Sequence, residues 1–219
     1  MVKTGGSIFI ALPLVVMLLS LLPVCILYVR KVAAPPLLNV LKILCLFVFF
    51  QYLTLYFLQP GLPAVKPGLK LAEFTLTFYL IKLMIPSTQG KDILNLFLVS
   101  FLSVVITIYS LKGVTAYSET ITIIQAALLT LLALIVLFQL ISNRHTVLIN
   151  EPAFWVAGGL LSYFGMVVFM EGIAGNQGDL SQQIQQEKDL IITVADMLRM
   201  ILFAVAVGIS GKPTIGNRQ

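Results

Sequence analysis

Charge is what this sequence has least of. Asp, Glu, Lys and Arg make up 11% of its 219 residues, against roughly 25% in an ordinary soluble domain. With 59% hydrophobic residues and a mean hydropathy of +1.02, a water-soluble fold of this length could not hide its apolar surface, because much of any surface must meet solvent. Histidine is nearly absent. His145 stands alone, which excludes a bis-histidine haem, a histidine-rich zinc site and a zincin helix. The two cysteines, Cys25 and Cys45, fall inside apolar stretches and read as reduced core residues rather than a disulfide. The net charge of +5 is scattered over termini and loops with no basic run. Nucleic acid is therefore not an expected partner, and the cations read as topology information.

Catalytic signatures are lacking as well. Ser162 is not framed by G-x-S-x-G, and no glycine-rich loop is built to cradle phosphate. The last apolar stretch has no lysine at mid-membrane to carry a retinal Schiff base. The third lacks an acidic-Arg-Tyr end and the seventh lacks Asn-Pro-x-x-Tyr, which disfavours a G-protein-coupled receptor. The expectation is a non-enzymatic protein with no cofactor and no metal.

What is present is a series of seven continuously apolar stretches: Ile8–Tyr28, Leu38–Leu58, Leu69–Ile85, Ile93–Leu111, Ile121–Ile141, Ala153–Ile173 and Leu190–Ile209. Each approaches the ~20 residues needed to cross a ~30 Å hydrocarbon core. They do not alternate, so strands are excluded. The expected fold is all-α, a single bundle of seven transmembrane helices over residues 1–219, with the lipid bilayer as its surroundings. Lys3 ahead of the first stretch imitates a signal peptide, but no small-x-small cleavage site follows before Arg30, so this stretch is read as a retained helix. Breaks fall at Ala33 to Pro36, at Gln59 to Pro63 with Lys66-Pro67-Gly68, at Pro86 to Gly90 and at Lys112-Gly113, where proline and glycine stop or free the backbone. Asn150-Glu151-Pro152 opens the sixth helix as cap, helix-end anion and first-turn proline, with Phe154 and Trp155 at headgroup level. Asp179 with Gln182 resembles a capping box. The seventh helix then either begins near Leu180 and projects beyond the membrane, or follows an irregular polar loop.

Lysine and arginine near the helix ends set the orientation. One side carries Arg30, Lys31, Lys42, Lys82, Lys91, Arg144, Lys212 and Arg218; the other carries Lys3, Lys66, Lys70, Lys112 and Lys188. Eight against five places the amino terminus outside and the carboxyl terminus in the cytoplasm, in what reads as a bacterial inner membrane.

Few charges remain inside the stretches. Lys42 and Lys82 lie near ends, where long stems can snorkel. Asp196 and Arg199, three residues apart, are about 60° apart on a helix and share a face. Charge at that depth is costly and should face a bundle interior or a wet cavity. Glu73, Glu171 and Asp196 all fall in the outer half, and Arg199 is the one strong cation expected at comparable depth. A buried network of Arg199 with Asp196 and Glu73 is therefore expected, with Glu171 in the same set. Its plain role is to fix helix packing. Its sharper role is an outward-facing cavity that senses or binds something, lined by Gln51, Tyr52, Thr77, Tyr79, Gln125 and Tyr163. Gly158, Gly159, Ser162 and Gly165 give the sixth helix a small-residue stripe, matched by Ala204 and Gly208 on the seventh. Close packing of these two helices is expected, with a homodimer interface as the alternative.

Asn150-Glu151-Pro152-Ala153-Phe154-Trp155, then Gly159-Leu160-Leu161-Ser162-Tyr163-Phe164, the short loops and the acidic Glu73 together resemble uncharacterised bacterial seven-helix membrane proteins associated with sensor histidine kinases. In such kinases the seventh helix leads into a cytoplasmic signalling domain. Here the sequence stops at Gln219, so the resemblance implies a sensory or regulatory subunit acting through a signalling partner such as a histidine kinase, without kinase activity of its own. The alternative is a small secondary transporter using Glu73, Asp196 and Arg199 as coupling groups, although neither repeat symmetry nor interrupted helices are evident.

Overall fold

The computed structural model describes residues 5–30, 35–57, 65–115, 117–142, 147–175 and 182–210. It is all-α among those residues, with seven long helices: α1 (Gly5–Arg30), α2 (Pro36–Phe57), α3 (Val65–Met84), α4 (Thr88–Lys112), α5 (Ser118–Ser142), α6 (Pro152–Gly175) and α7 (Gln182–Ile209). A single 3₁₀ turn, Leu148–Asn150, precedes α6. Every helix except α3 is long and apolar enough to cross a membrane. The helix α3 falls short in composition because it carries Lys66, Lys70, Glu73 and Lys82. The perimeter agrees with a bilayer: Leu18, Phe50, Phe57, Leu96, Phe138 and Phe169 are all exposed, a distribution that would make a water-soluble monomer aggregate. This is a multi-pass protein of the membrane type.

Six helices close a ring in the order α1, α2, α3, α5, α6, α7, and α7 packs back on α1. The most extensive contact is between α6 and α7. Gly159 explains part of it. A Cβ there would meet the Phe203 ring at 3.2 Å and the Arg199 carbonyl oxygen at 3.3 Å, so glycine lets the helices approach this closely without displacing either. Gly158, Gly165 and Gly208 have nothing within 4 Å of a built Cβ. The stripe therefore reduces to one glycine against which the neighbouring helix packs closely. Helix α4 stands outside the ring against α3. It is held by a ladder of rings, with Phe101 5.0 Å from Phe74 and Phe97 6.2 Å from Phe78, and Val105 is its one buried residue.

Several helix ends differ from the expected breaks. Helix α3 starts at Val65 and takes in Pro67 and Gly68, because a first turn tolerates proline. Helix α4 starts at Thr88, with the Ser87 hydroxyl accepting from the Gly90 amide at 3.2 Å, so Gly90 is helical rather than a breaker. At the other end Gly113 does stop α4, at φ 89° with its N–H donating to the Tyr109 carbonyl at 3.0 Å; that left-handed φ suits glycine alone. Asn150 ends the 3₁₀ turn instead of capping α6, and the Trp155 indole donates to the Ile149 carbonyl at 2.8 Å. Cys25 is exposed on α1, not in the core, whereas Cys45 is buried. Residues 176–181, and with them Asp179 and Leu180, lie outside the described residues; α7 is helical from Gln182.

The core is divided along the bundle axis. Leu41, Leu44, Phe78, Ile81, Leu160 and Phe203 are fully buried and form an apolar half toward the ends of α3, α5 and α7. The buried polar side chains Gln51, Glu73, Gln125, Asp196 and Arg199 lie toward the other half. There α3, α5 and α7 begin and α6 ends, and there the site sits.

Candidate functional site

Arg199 on α7 is the centre. None of it is exposed. Its Nη1 donates to Glu73 Oε1 on α3 at 2.8 Å, and its Nε donates to Asp196 Oδ1, one turn earlier, at 2.8 Å. Nη2 lies 2.6 Å from the same Asp196 oxygen but is poorly aligned for a hydrogen bond, so Nε carries the directed bond and Nη2 an ion-pair contact. The guanidinium stacks on Tyr163 of α6, 3.9 Å from the ring centroid, a geometry that delocalised cations favour.

Every oxygen of the two carboxylates is engaged. Asp196 Oδ2 accepts from the Tyr52 hydroxyl of α2 at 2.7 Å. Glu73 Oε2 accepts from Lys70 and from the Gln51 amide, both at 3.4 Å. Lys70 also donates to the Tyr163 hydroxyl at 3.1 Å. A chain of alternating charge results, running Lys70, Glu73, Arg199, Asp196 and ending on Tyr52. It ties α3, α7 and α2 together against α6. Two cations face two carboxylates, so the cluster is neutral as a whole. That neutrality is what makes burying it tolerable, since an uncompensated charge in hydrocarbon is expensive.

Lys70 was not foreseen as a member. Its position near the start of the third stretch reads as an interfacial lysine, and Arg199 reads as the sole deep cation. The available signal was its spacing: Lys70 is three residues before Glu73 and so shares its face. In the other direction, Glu171 does not join Arg199. It pairs with Lys188 of α7 at 3.0 Å, nearer the end of the bundle. A separation of 17 positions along the chain leaves no local pattern that announces such a pair. Tyr79 also lies apart. It is 44% exposed on the outer face of α3, with Lys82 5.5 Å above its ring, so it lines no interior cavity. Lys82 itself donates to Asn95 of α4 at 2.7 Å. Thr77, one turn beyond Glu73, is fully buried and its hydroxyl has no partner among the described residues.

Two hollows lead to the network. A vestibule of about 250 Å³ opens where α3, α5 and α7 begin, with Lys66, Lys70, Glu119, Glu171, Lys188 and Asp189 among its walls. Beneath it lies a pocket of about 20 Å³ against Lys70, Glu73, Gln125 and Tyr163. Lys70, Thr122, Tyr163 and Val167 line both, so the floor of the vestibule is the roof of the pocket. A space of roughly 10–15 Å³ already admits a water, which sets the pocket at the scale of one or two oxygen atoms. Gln125 is 5% exposed, and its Nε2 has no hydrogen-bond partner among the described residues. Those residues hold no group of three or more histidine, cysteine and carboxylate side chains that could share a metal ion.

No protein family, curated protein or solved structure matches the chain.

Proposed function

We propose that this protein is a non-enzymatic membrane receptor or regulatory subunit: the vestibule receives a small polar ligand from one side of the bilayer, and the charge chain passes its presence to the helices. In this reading α3 is a seventh span, its 20 residues reaching ~30 Å, with Lys70 and Glu73 turned inward and Lys66 and Lys82 near its two ends. The amino terminus and the vestibule face outside, as eight cations against five imply.

The observation that carries the reading is Lys70. It is at once part of the vestibule wall and the first member of the buried chain. Its 3.4 Å contact with Glu73 is the loosest charge contact in the chain. A ligand that draws Lys70 away leaves Glu73 with Arg199 as its one cation beside the neutral Gln51 amide, and Arg199 then shares itself differently between Glu73 on α3 and Asp196 on α7. A local change in charge thus becomes a bias on how three helices sit, which is how small electrostatic events switch packed elements. Both carboxylates are engaged by cations, which supports a binding role over acid-base chemistry. The inward message would go to a signalling partner such as a histidine kinase.

A second reading, a small transporter with Glu73, Asp196 and Arg199 as coupling groups, is favoured by their depth alone. It needs access from both sides, and the half beyond Arg199 is filled by Leu41, Phe78, Leu160 and Phe203. Two measurements separate the readings. Proteoliposomes holding the protein should show proton and sodium flux no greater than empty liposomes, and affinity purification from native membranes should recover a signalling protein whose yield changes with Lys70→Met. Protein-dependent flux that Glu73→Gln abolishes would overturn the receptor and establish the transporter.

A further inference from the structure

The vestibule carries charges of both signs that the described residues leave unpaired. Its walls hold the lysines Lys66, Lys70 and Lys188 and the carboxylates Glu119, Glu171 and Asp189. Lys188 and Glu171 close on each other, and Lys70 belongs to the charge chain through Glu73. Lys66 on α3 and Glu119 on α5 are exposed and form no ion pair among the described residues. The Asp189 carboxylate on α7 accepts one long hydrogen bond, from the Gln185 amide at 3.5 Å. Lys70 gives hydrogens to Glu73 and to the Tyr163 hydroxyl, so one of its three is left, and 27% of its side chain is exposed. Lys66 and Lys70 are one turn apart and share a face of α3. One hollow is thus bordered by available cations on α3 and by available anions on α5 and α7.

We infer that the vestibule takes a small zwitterion, its carboxylate against Lys66 and Lys70 and its ammonium against Glu119 and Asp189. This rests on the receptor reading and names the class of ligand which that reading leaves open. Charge balance argues for two ends of opposite sign. The buried chain below is neutral, and a zwitterion adds no net charge beside it, whereas a lone carboxylate or a lone ammonium would unbalance it. Two carboxylates against Lys66 also set the rim against a ligand with a second carboxylate. The start of α3 favours the same orientation, since its first turn holds no acidic residue and its positive helix end is free to attract an anion. The volume of about 250 Å³ suits a compact body, and Val167 and Ile192 in the walls offer it apolar contact. The ligand meets the charge chain at Lys70, the contact through which the receptor reading sends its signal.

The test uses the full chain in lipid nanodiscs, with melting temperature followed against glycine, β-alanine and γ-aminobutyrate, and against sodium acetate and methylammonium chloride at matched ionic strength. At least one of the three zwitterions should give a saturable rise, in contrast to the unsaturating rise of an excluded osmolyte. Acetate and methylammonium should each bind more weakly. Lys66→Met and Glu119→Gln alter exposed side chains, so both should melt near the wild type without ligand. Each should weaken the zwitterion by roughly tenfold, the size of one hydrogen bond to a charged group. A zwitterion affinity unchanged in either variant overturns the proposal. So does acetate or methylammonium binding as tightly as the zwitterions, which would leave a receiving site for a singly charged ligand. No saturable response to any of the five also overturns it, and the receptor reading is then decided separately by the flux and co-purification measurements.

Discussion

The two halves of the bundle are built on opposite principles. Where α3, α5 and α7 begin, the interior is hollow and polar, with every carboxylate of the charge chain matched by a cation. Toward their other ends it is filled by Leu41, Leu44, Phe78, Ile81 and Phe203 at no exposure, and the polar contact is peripheral: Arg30 donates to the Val207 carbonyl near the end of α7 at 3.2 Å, a favourable place for a cation. Side chains surrounded by lipid gain little by exchanging it for one another, so the apolar half is held by close packing. The polar half is held by charge compensation. One half can lose a methyl group and settle, whereas the other cannot lose a charge without stranding its partner.

That contrast orders the expected effects. Arg199→Leu strands Asp196 and leaves Glu73 only the looser Lys70 as a cation, and should cost roughly 3–5 kcal/mol, as breaking a buried pair does in soluble proteins. Adding Asp196→Leu should recover part of the loss, since Glu73 keeps Lys70; reversible unfolding in bicelles reads both, and a double variant weaker than the single one would contradict the compensation. Next comes Leu41→Ala in the apolar half, at about 2 kcal/mol, the low end for a core truncation because lipid replaces water as the alternative. Gly159→Ala follows, at ~1–3 kcal/mol from overpacking against Phe203 and the Arg199 carbonyl, while Gly158→Ala, with open space around its Cβ, should be neutral in the same assay. Lys188→Met at the rim should cost ~1 kcal/mol or less. Tyr79→Phe, on the outer face, should stay within about 0.5 kcal/mol of wild type.

The two halves were not equally legible in the sequence. Apolar runs of spanning length mark six helices without ambiguity, because hydrocarbon leaves the backbone few choices. The Asp196–Arg199 spacing similarly announces a shared face. Glu73 could be placed opposite Arg199 because a charge at that depth needs a partner and few are on offer. Lys70 and Lys188 were harder. A lysine near a helix end is ordinarily interfacial, and only the closure of the ring, which brings the Tyr163 hydroxyl of α6 to Lys70 and packs α6 against α7, turns these two inward. Tyr79 was misassigned for the converse reason: an aromatic on a helix with one polar face and one lipid face carries no mark of which it joins. The vestibule leaves no trace in a single sequence, since it is made by the ends of four helices that are distant along the chain.

The central claim is that the polar half opens to one side of the membrane and the apolar half closes it to the other. Thr122 lines both the vestibule and the pocket, so Thr122→Cys in a background carrying Cys25→Ser and Cys45→Ala measures it directly. A membrane-impermeant maleimide should label this cysteine in right-side-out vesicles and not in inverted ones, with Ala133→Cys, deeper on the same helix and fully buried, unlabelled in either. Labelling of Thr122→Cys from both faces, or from neither, would contradict the account.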